Sequence, residues 1–405
     1  MRRISFLPFL FVFLISFLID LYTFQGVKTL SLELVSELRP VVLYSFWIFS
    51  IGMIASLFAG FFTLFPKTKF KPLFNLIVNF FLTFLIIKLV FIMVLFAEDC
   101  FRVLAGIYSE YPARSVYVSQ AALVLAAIPF FAFLFGVTKG KYHYKIHRVQ
   151  LVLKDLPKAF NGFTITQISD VHSGSFDSKK GVKRGVDLIN AQGSDLFVFT
   201  GDLVNNQASE IEPWIDIFKP INAEYGKFSI LGNHDYGDYI HWVNAEEKIQ
   251  NLNRLKVNHQ KLGFKLLLDE HVRIEKDGES ITLLGVENWG LGFGQRGNLN
   301  KALNGVDKNS VKVLLSHDPS HWDAEIKNRP EHIHLTLSGH THGMQFGIEL
   351  FGWKWSPVKY RYKNWAGLFE EAGRYLYVNR GFGFLGFSGR VGIWPEITVI
   401  ELKKA

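Results

Sequence analysis

Two imidazoles one residue apart, His340 and His342, follow a β-prone apolar run, Ile333 to Leu337, that breaks at Gly339. In extended backbone, residues i and i+2 face the same side, so both rings can address one target, and imidazole is the commonest side-chain metal ligand. Four other apolar runs end the same way. Phe163 to Ser169 leads into Asp170 and His172, Leu196 to Thr200 into Gly201-Asp202, Phe228 to Leu231 into Gly232-Asn233-His234-Asp235, and Val311 to Ser316 into His317. Asp170, His172, Asp202, Asn233, His317, His340 and His342 make a nitrogen and oxygen donor set without thiolate, which suits Mn, Fe or Zn. Seven donors exceed what one tetrahedral ion uses, so two divalent cations are the economical reading. Held about 3.5–4 Å apart, such a pair grips a phosphate oxygen and acidifies a shared water, whose hydroxide attacks phosphorus in line.

The elements that must carry these residues are short strands alternating with helices. Gln150 to Leu153 and Thr164 to Ile168 read as strands. A helix over Lys179 to Ala191 carries Val182, Val186 and Ile189 at a spacing that gives one apolar face. Further helices are expected around Glu210 to Phe218 and Trp242 to Leu262. Lys265 to Val286 and Tyr375 to Leu402 have strand-turn-strand character, with turns at Asp277-Gly278 and Arg374. The alternation predicts parallel β-α-β units within an α/β sandwich that has helices outside. In such sheets ligands sit beyond the carboxyl ends of strands, where all five motifs fall.

Ahead of this lies a different kind of sequence. Hydrophobic residues make up 49% of the chain and aromatics 15%, and the excess is concentrated in residues 1–150. Four runs there, Ile4 to Tyr22, Val41 to Phe65, Leu73 to Ala97 and Val118 to Val137, approach or exceed the roughly 20 apolar residues a spanning helix needs. No small-residue cleavage site follows the first, so it is not read as a signal peptide. The net charge of +8 belongs to this part: residues 1–150 hold fourteen Lys and Arg against six Asp and Glu, and the remainder holds thirty of each. The basic balance is therefore no argument for nucleic-acid binding. With the amino terminus inside, nine cationic residues (Arg2, Arg3, Lys67, Lys69, Lys71, Lys139, Lys141, Lys145 and Arg148) fall on the inner side, against Lys28, Arg39, Arg102 and Arg114 outside. This places the second part in the cytoplasm. Asn79 and Lys88 are polar at membrane depth; with no carboxylate partner evident, snorkelling of Lys88 is the preferred reading. Cys100, the only cysteine, excludes an internal disulfide.

The five blocks Asp170-Val171-His172, Gly201-Asp202-Leu203-Val204-Asn205, Gly232-Asn233-His234-Asp235, His317 and Gly339-His340-Thr341-His342 resemble, in order, the signature of the calcineurin-like metallophosphoesterases. Gly343 to Gln345, Asn379-Arg380-Gly381 and Pro395-Glu396-Ile397 are similar to the family's bacterial membrane-attached branch. The resemblance implies a calcineurin-like αββα sandwich over residues 147–405, behind a four-helix transmembrane region over 1–146, in a bacterial inner or plasma membrane. It implies that Asp170, His172 and His342 hold one metal, that Asn233, His317 and His340 hold the other, and that Asp202 bridges them. His234 would contact the phosphate and protonate the leaving oxygen, oriented by Asp235. Asn205 stands where an aspartate is common, and Met344 where the branch often has glycine, which puts substrate range in question.

Two stretches are open to more than one reading. Gly285 to Gly305, with Trp289, Phe293 and Arg296, is either a mobile cover or a connecting loop, and its Gly292 to Gly297 is no nucleotide fingerprint because no strand and helix flank it. Phe351 to Trp365 mixes tryptophans with Lys354, Lys359, Arg361 and Lys363; this suits a lipid interface, though ordinary hairpin packing is preferred. The chain is thus expected to be a membrane-anchored hydrolase of phosphodiesters or pyrophosphates, with lipid-linked substrates suggested by the tether. A non-catalytic membrane sensor or scaffold that kept the fold is the alternative. A transporter is disfavoured by the shortage of paired charges in the spans.

Overall fold

The computed structural model of the 405-residue chain describes residues 7–63, 71–107 and 110–405. Contacts group the chain into two compact units, one running to Phe135 and taking in Gly386–Ser388, the other made of Gly136–Leu385 and Gly389–Ala405.

The first unit holds α1 (Leu7–Ser31), α2 (Leu38–Thr63), α3 (Lys71–Gly106) and α4 (Val116–Thr138). All four are long and apolar enough to cross a membrane. Arg2, Arg3, Phe65, Lys67 and Lys69, used above for span limits and orientation, lie outside the described residues. The helices outrun the apolar stretches: α1 continues from Tyr22 to Ser31, where hydroxyls are satisfied by carbonyls one turn back, as Thr29 Oγ1 is by Gln25 O (3.0 Å). A search for apolar runs stops at the first polar residue; the backbone does not.

Lys88 does not snorkel. Its Nζ lies 2.5 Å from Asp20 Oδ1 on α1 and donates to Ser50 Oγ on α2 at 3.1 Å, with all three residues buried. The carboxylate partner that the sequence did not reveal stands 68 residues away, and the expectation that the spans lack paired charges is corrected. Elsewhere on α3, Asp99 accepts from Tyr22 (2.7 Å), Arg102 (2.6 Å) and Arg114 (2.6 Å), tying α1 and α3 to the segment before α4.

In the second unit two six-stranded sheets pack face to face. The first, in spatial order, is β1 (Lys145–Leu153), β14 (Glu396–Lys404), β2 (Thr164–Ile168), β3 (Leu196–Phe199), β4 (Lys227–Ser229) and β5 (Lys265–Leu266). The second is β12 (Gly367–Glu371), β13 (Arg374–Val378), β9 (Leu335–Ser338), β8 (Lys312–Leu315), β7 (Glu279–Gly285) and β6 (Glu270–Lys276). Pairings are parallel except β14 with β2, β12 with β13, and β6 with β7. A small hairpin, β10 (Ile348–Leu350) and β11 (Trp353–Trp355), stands apart from both.

Ile165, Val198 and Ile400 of one sheet meet Leu283, Val313 and Leu337 of the other in a continuous core. Outside the first sheet lie α5 (Lys179–Asn190), α6 (Ile215–Phe218) and α7 (Ala245–Lys261), with Val182, Val186 and Ile189 turned inward as their spacing predicts. Outside the second lie α8 (Leu299–Leu303) and a single turn at Trp322–Ile326. The layering is the αββα arrangement.

Local departures have local causes. The helix expected over Glu210 to Phe218 breaks into short turns around Pro213, which has no N–H to continue it. The helix expected from Trp242 begins at Ala245, where the Asn244 side chain caps the N–H of Glu247 (2.8 Å). The turn placed at Arg374 falls at Ala372 and Gly373, both in the left-handed region. Arg374 itself opens β13 and donates to the carbonyls of Ile326 (2.9 Å) and Glu331 (3.1 Å).

Candidate metal centre

β2, β3, β8 and β9 run parallel or are brought together across the sandwich, so their carboxyl ends open on one place. The turns leaving them put Asp170, His172, Asp202, His340 and His342 in the left-handed backbone region, at φ values of 52°, 46°, 62°, 70° and 49°. Each such residue costs on the order of 1–3 kcal/mol and persists only where its surroundings over-determine it. The motif glycines have a separate reason. A Cβ on Gly232 would lie 2.2 Å from Asp202 Oδ1, and one on Gly339 would lie 2.3 Å from Asp170 Oδ2, so only glycine lets these carboxylates stand where they do.

The candidate ligands gather in two groups, Asp170 with His172 and His342, and Asp202 with His317 and His340; within each, the donor atoms lie within 4.8 Å of one another. In the first, His342 Nε2 is 3.2 Å from Asp170 Oδ1 and 3.0 Å from His172 Nε2. In the second, His317 Nε2 is 3.2 Å from Asp202 Oδ2. The groups meet at that oxygen, since Asp202 Oδ2 also lies 3.5 Å from His172 Nε2. Its other oxygen, Oδ1, is held by the His234 N–H at 2.9 Å. Asn233 joins the second group, with Oδ1 2.9 Å from His340 Nδ1 and Nδ2 donating to Tyr239 Oη.

Whether a cation fits can be judged from the donors. His317 donates through Nδ1 to Thr200 O (2.7 Å), because a carbonyl only accepts; its lone pair is then on Nε2. That buried Nε2, although 3.2 Å from the carboxylate, makes no well-directed hydrogen bond among the described residues. A buried nitrogen and a carboxylate oxygen thus stand side by side, as two ligands of one ion do. Electrostatics agree. Burial keeps the His172 ring well below the usual imidazole range and lowers His340 to about 4, which leaves both neutral with a lone pair to give. Burial works against ionising Asp170 and Asp202, yet neighbouring histidines, His342 for the first and His317 for the second, hold both carboxyls below their ordinary value. Burial likewise opposes charging His317, but Asp202 overrides it and raises the ring to about 10; a cation seated there takes the place of that proton.

His234 and Asp235 do not form the pair expected of them. His234 Nδ1 donates to the backbone carbonyl of Asn205 (2.8 Å), so Nε2 is the nitrogen left for other partners, and its ring meets that of His172 edge-on at 4.9 Å. The Asp235 carboxylate instead accepts from the N–H groups of Asp202, Leu203, Val204 and Gly232 at 2.8–3.2 Å. It fastens the turn that carries Asp202 to the turn that carries Asn233. Burial and the Asp202 charge raise it to about 7 against the pull of those donors. The departure at Asn205 is thus of little consequence, since its main chain does the orienting while its side chain meets Ser175 (3.0 Å). Met344 is exposed and sits at φ 48°, a conformation that favours the glycine expected there.

Further residues stand behind the ligands, and Asp318, Tyr362 and Arg390 among them escaped sequence reasoning. His340 Nε2 meets Tyr362 Oη (3.0 Å) and Asp318 Oδ2 (3.4 Å), and Tyr362 in turn donates to Asp318 (3.2 Å). This carboxylate and phenol fix the ring so that Nδ1 faces Asn233. Asp318 directly follows His317, a signal that was available; Tyr362 lay in a stretch singled out for its tryptophans and cations. The fully buried Arg390 reaches His342 Nδ1 (3.3 Å) and the carbonyl of Gly381 (3.1 Å), and nothing in the sequence marked it. Buried Glu396 pairs with Arg380 (2.6 Å) and, despite its burial, is held down to about 2 by that guanidinium. Together they lock the loop whose Phe382 and Gly383 N–H groups bond Ser169 O and Asp170 O. The segment after β7 packs over the centre: Phe293 lies against His340 with ring centres 4.5 Å apart, and Trp289 stacks on His321 at 4.7 Å. Beside Tyr362 opens a cavity of about 320 Å³, lined by Leu291, Pro319, Arg361, Lys363 and others.

Residues 2–141 match the family described as probable calcineurin-like phosphoesterase, transmembrane domain, and residues 163–344 match calcineurin-like phosphoesterase. The metallophosphoesterase YkuE of Bacillus subtilis is 30% identical over 251 residues, covering 61% of this chain and 82% of that protein. A zebrafish (Danio rerio) transmembrane protein with metallophosphoesterase domain is 26% identical over 295 residues, covering 70% of this chain and 62% of its own length. The Escherichia coli phosphodiesterase YaeI is 26% identical over 291 residues, covering 72% of this chain and 99% of that one.

Proposed function

Because the chain belongs to the calcineurin-like metallophosphoesterases, we propose that it is a membrane-anchored hydrolase of phosphodiesters or pyrophosphates that works with two divalent cations. Residues 1–146 are its anchor and 147–405 its hydrolase domain, facing the cytoplasm of a bacterial cell. The observation that carries this reading is the meeting of the two ligand groups at Asp202 Oδ2, 3.2 Å from His317 Nε2 and 3.5 Å from His172 Nε2.

Asp170, His172 and His342 would hold one cation, Asn233, His317 and His340 the other, and Asp202 would serve both. When bound, the pair supplies charge to neutralise the phosphate and lowers the pKa of water enough for attack at neutral pH. The chain's own residues do the rest. His234, its Nδ1 proton committed to Asn205 O, presents Nε2 to the substrate; in the imidazolium form Nε2 carries a second proton, which passes to the leaving oxygen and leaves the ring neutral. Phe293 keeps bulk water from the His340 side. The cavity beside Tyr362, bordered by Arg361 and Lys363, takes the part of the substrate beyond the phosphorus. An anchored enzyme meets membrane-borne phosphates at high local concentration, which favours a lipid-linked substrate.

The test uses the full-length protein in nanodiscs, loaded in turn with Mn, Zn and Fe. It compares bis-(p-nitrophenyl) phosphate, p-nitrophenyl phosphate and a polyprenyl pyrophosphate, alongside Asp202→Asn. Turnover of the diester or the pyrophosphate that falls at least about 10³-fold in the variant, with loss of bound metal, is the expected result. Metal bound at two equivalents without turnover of any of the three would favour a sensor or scaffold.

A further inference from the structure

From the β10–β11 hairpin and the segment after it, we infer that the sheet-bearing unit has its own contact with lipid: the hairpin tip enters the headgroup layer of an anionic bilayer. The tip is a two-residue turn, Phe351-Gly352, closed by the pairing of Leu350 with Trp353. Both turn residues have positive φ, 51° and 83°, a geometry for which Asn-Gly or Asp-Gly is the favoured sequence. Phenylalanine opposes that backbone, and water opposes its ring. Even so Phe351 is 103% exposed, flanked by Leu350 at 60% and Trp353 at 59%. An apolar cluster that both local conformation and solvent disfavour points to an apolar neighbour.

Charge identifies the neighbour. Residues 348–363 contain Lys354, Lys359, Arg361 and Lys363 against one carboxylate, Glu349, and Glu349 is already bonded to Arg380 (2.7 Å). Lys359, Tyr360, Arg361 and Lys363 are exposed; Arg361, over the Phe293 ring at 4.6 Å, and Lys363 also border the cavity beside Tyr362 and add to the positive charge of the same segment. Aromatic and aliphatic groups at a tip, followed along the chain by an exposed tyrosine and a segment of net positive charge, are the composition that an anionic lipid surface accepts. The bilayer is also within reach of the chain: α4 ends at Thr138 and β1 begins at Lys145. Hairpin packing does account for the base of the segment, where Val358 and Trp365 are buried with Ile393; the tip is what it leaves unexplained. The same segment carries Tyr362, which bonds His340, so a docked tip steadies a group behind the metal centre.

In a Cys100→Ser background, single labelling sites are made by Phe351→Cys, Trp353→Cys and, as a reference in the exposed β6–β7 turn, Asp277→Cys. Each full-length protein is labelled with an environment-sensitive fluorophore and placed in nanodiscs of phosphatidylglycerol and phosphatidylcholine. Quenching by doxyl-labelled lipid is expected to be at least threefold stronger at positions 351 and 353 than at 277. Quenching by aqueous iodide should follow the reverse order. Replacing all phosphatidylglycerol by phosphatidylcholine should at least halve the lipid quenching. Iodide access at 351 and 353 equal to that at 277 would overturn the inference, as would protection from both quenchers, which means a protein cover. Insensitivity to lipid charge would overturn the assignment to an anionic surface. None of these readings depends on phosphate hydrolysis, so the two proposals fail separately.

Discussion

In the helical unit the buried charges of Lys88 and Asp20 answer each other at 2.5 Å, with Ser50 taking a further ammonium proton. In the sheet-bearing unit Asp202 Oδ2 stands 3.2 Å from a His317 nitrogen that makes no directed hydrogen bond to it among the described residues. The first cluster is complete within the chain, and its role is to join α1, α2 and α3 where lipid offers no alternative partner. The second sets a carboxylate and several imidazoles side by side as donors for a cation. Both are buried and both are charged, so burial and charge alone do not mark a functional site. What separates them is whether the groups point at each other or past each other.

Variants that open the closed cluster should show the largest effect on folding. Lys88→Met leaves the Asp20 carboxyl without its cation and is expected to lower stability by about 3 kcal/mol, read as thermal unfolding of the detergent-solubilised protein. Lys88→Met combined with Asp20→Leu should recover most of that loss. A single variant as stable as the parent would show that the pair does not hold the helices together. On the other side of the comparison, His234→Gln should lower kcat on a chromogenic diester about 10²-fold while metal content, measured by mass spectrometry, stays at the parent value. Loss of metal instead would make His234 a ligand.

Smaller effects sharpen the contrast. Tyr362→Phe removes the hydroxyl between His340 and Asp318 and is expected to weaken metal binding about tenfold, seen by competition with a chelating dye; unchanged affinity would reduce Tyr362 to packing. Smallest is a pH effect at His259, which bonds Ser229 (3.0 Å) away from the centre and is driven to about 3 by burial. Above pH 6.5 the ring is neutral folded or unfolded and stability is insensitive to it. As pH falls from 6.5 toward 3 only the unfolded chain gains the proton, so stability declines. Between pH 6.5 and 5.5 this amounts to about 1 kcal/mol, and His259→Gln should remove that share of the parent's slope.

What could be read in advance follows the same division. Asp170, Asp202, Asn233, His317, His340 and His342 were legible because each ends a β-prone run, and a polar residue just past a strand's carboxyl end has one place to point. The αββα layering was legible from the alternation and the α5 face. Asp20 and Lys88 were each visible as polar residues in apolar runs, but their pairing is a fact of helix packing that no spacing along the chain encodes. The Asn205 carbonyl that orients His234 was hidden for another reason: main-chain atoms carry no sequence label. Arg390 was hidden because its meaning lies wholly in the carbonyls it reaches.

The place of β14 in the first sheet has a consequence for how the protein is made. It is threaded between β1 and β2, matched to β1 from Lys145↔Glu396 to Leu153↔Lys404, so neither early strand has its central neighbour until the ribosome has passed residue 404. Through that interval the helices are already in the bilayer while β1 and β2 present open edges to solvent. A nascent chain cut short before β14 would stay tethered with those edges unsealed, an easy substrate for membrane-bound quality-control proteases.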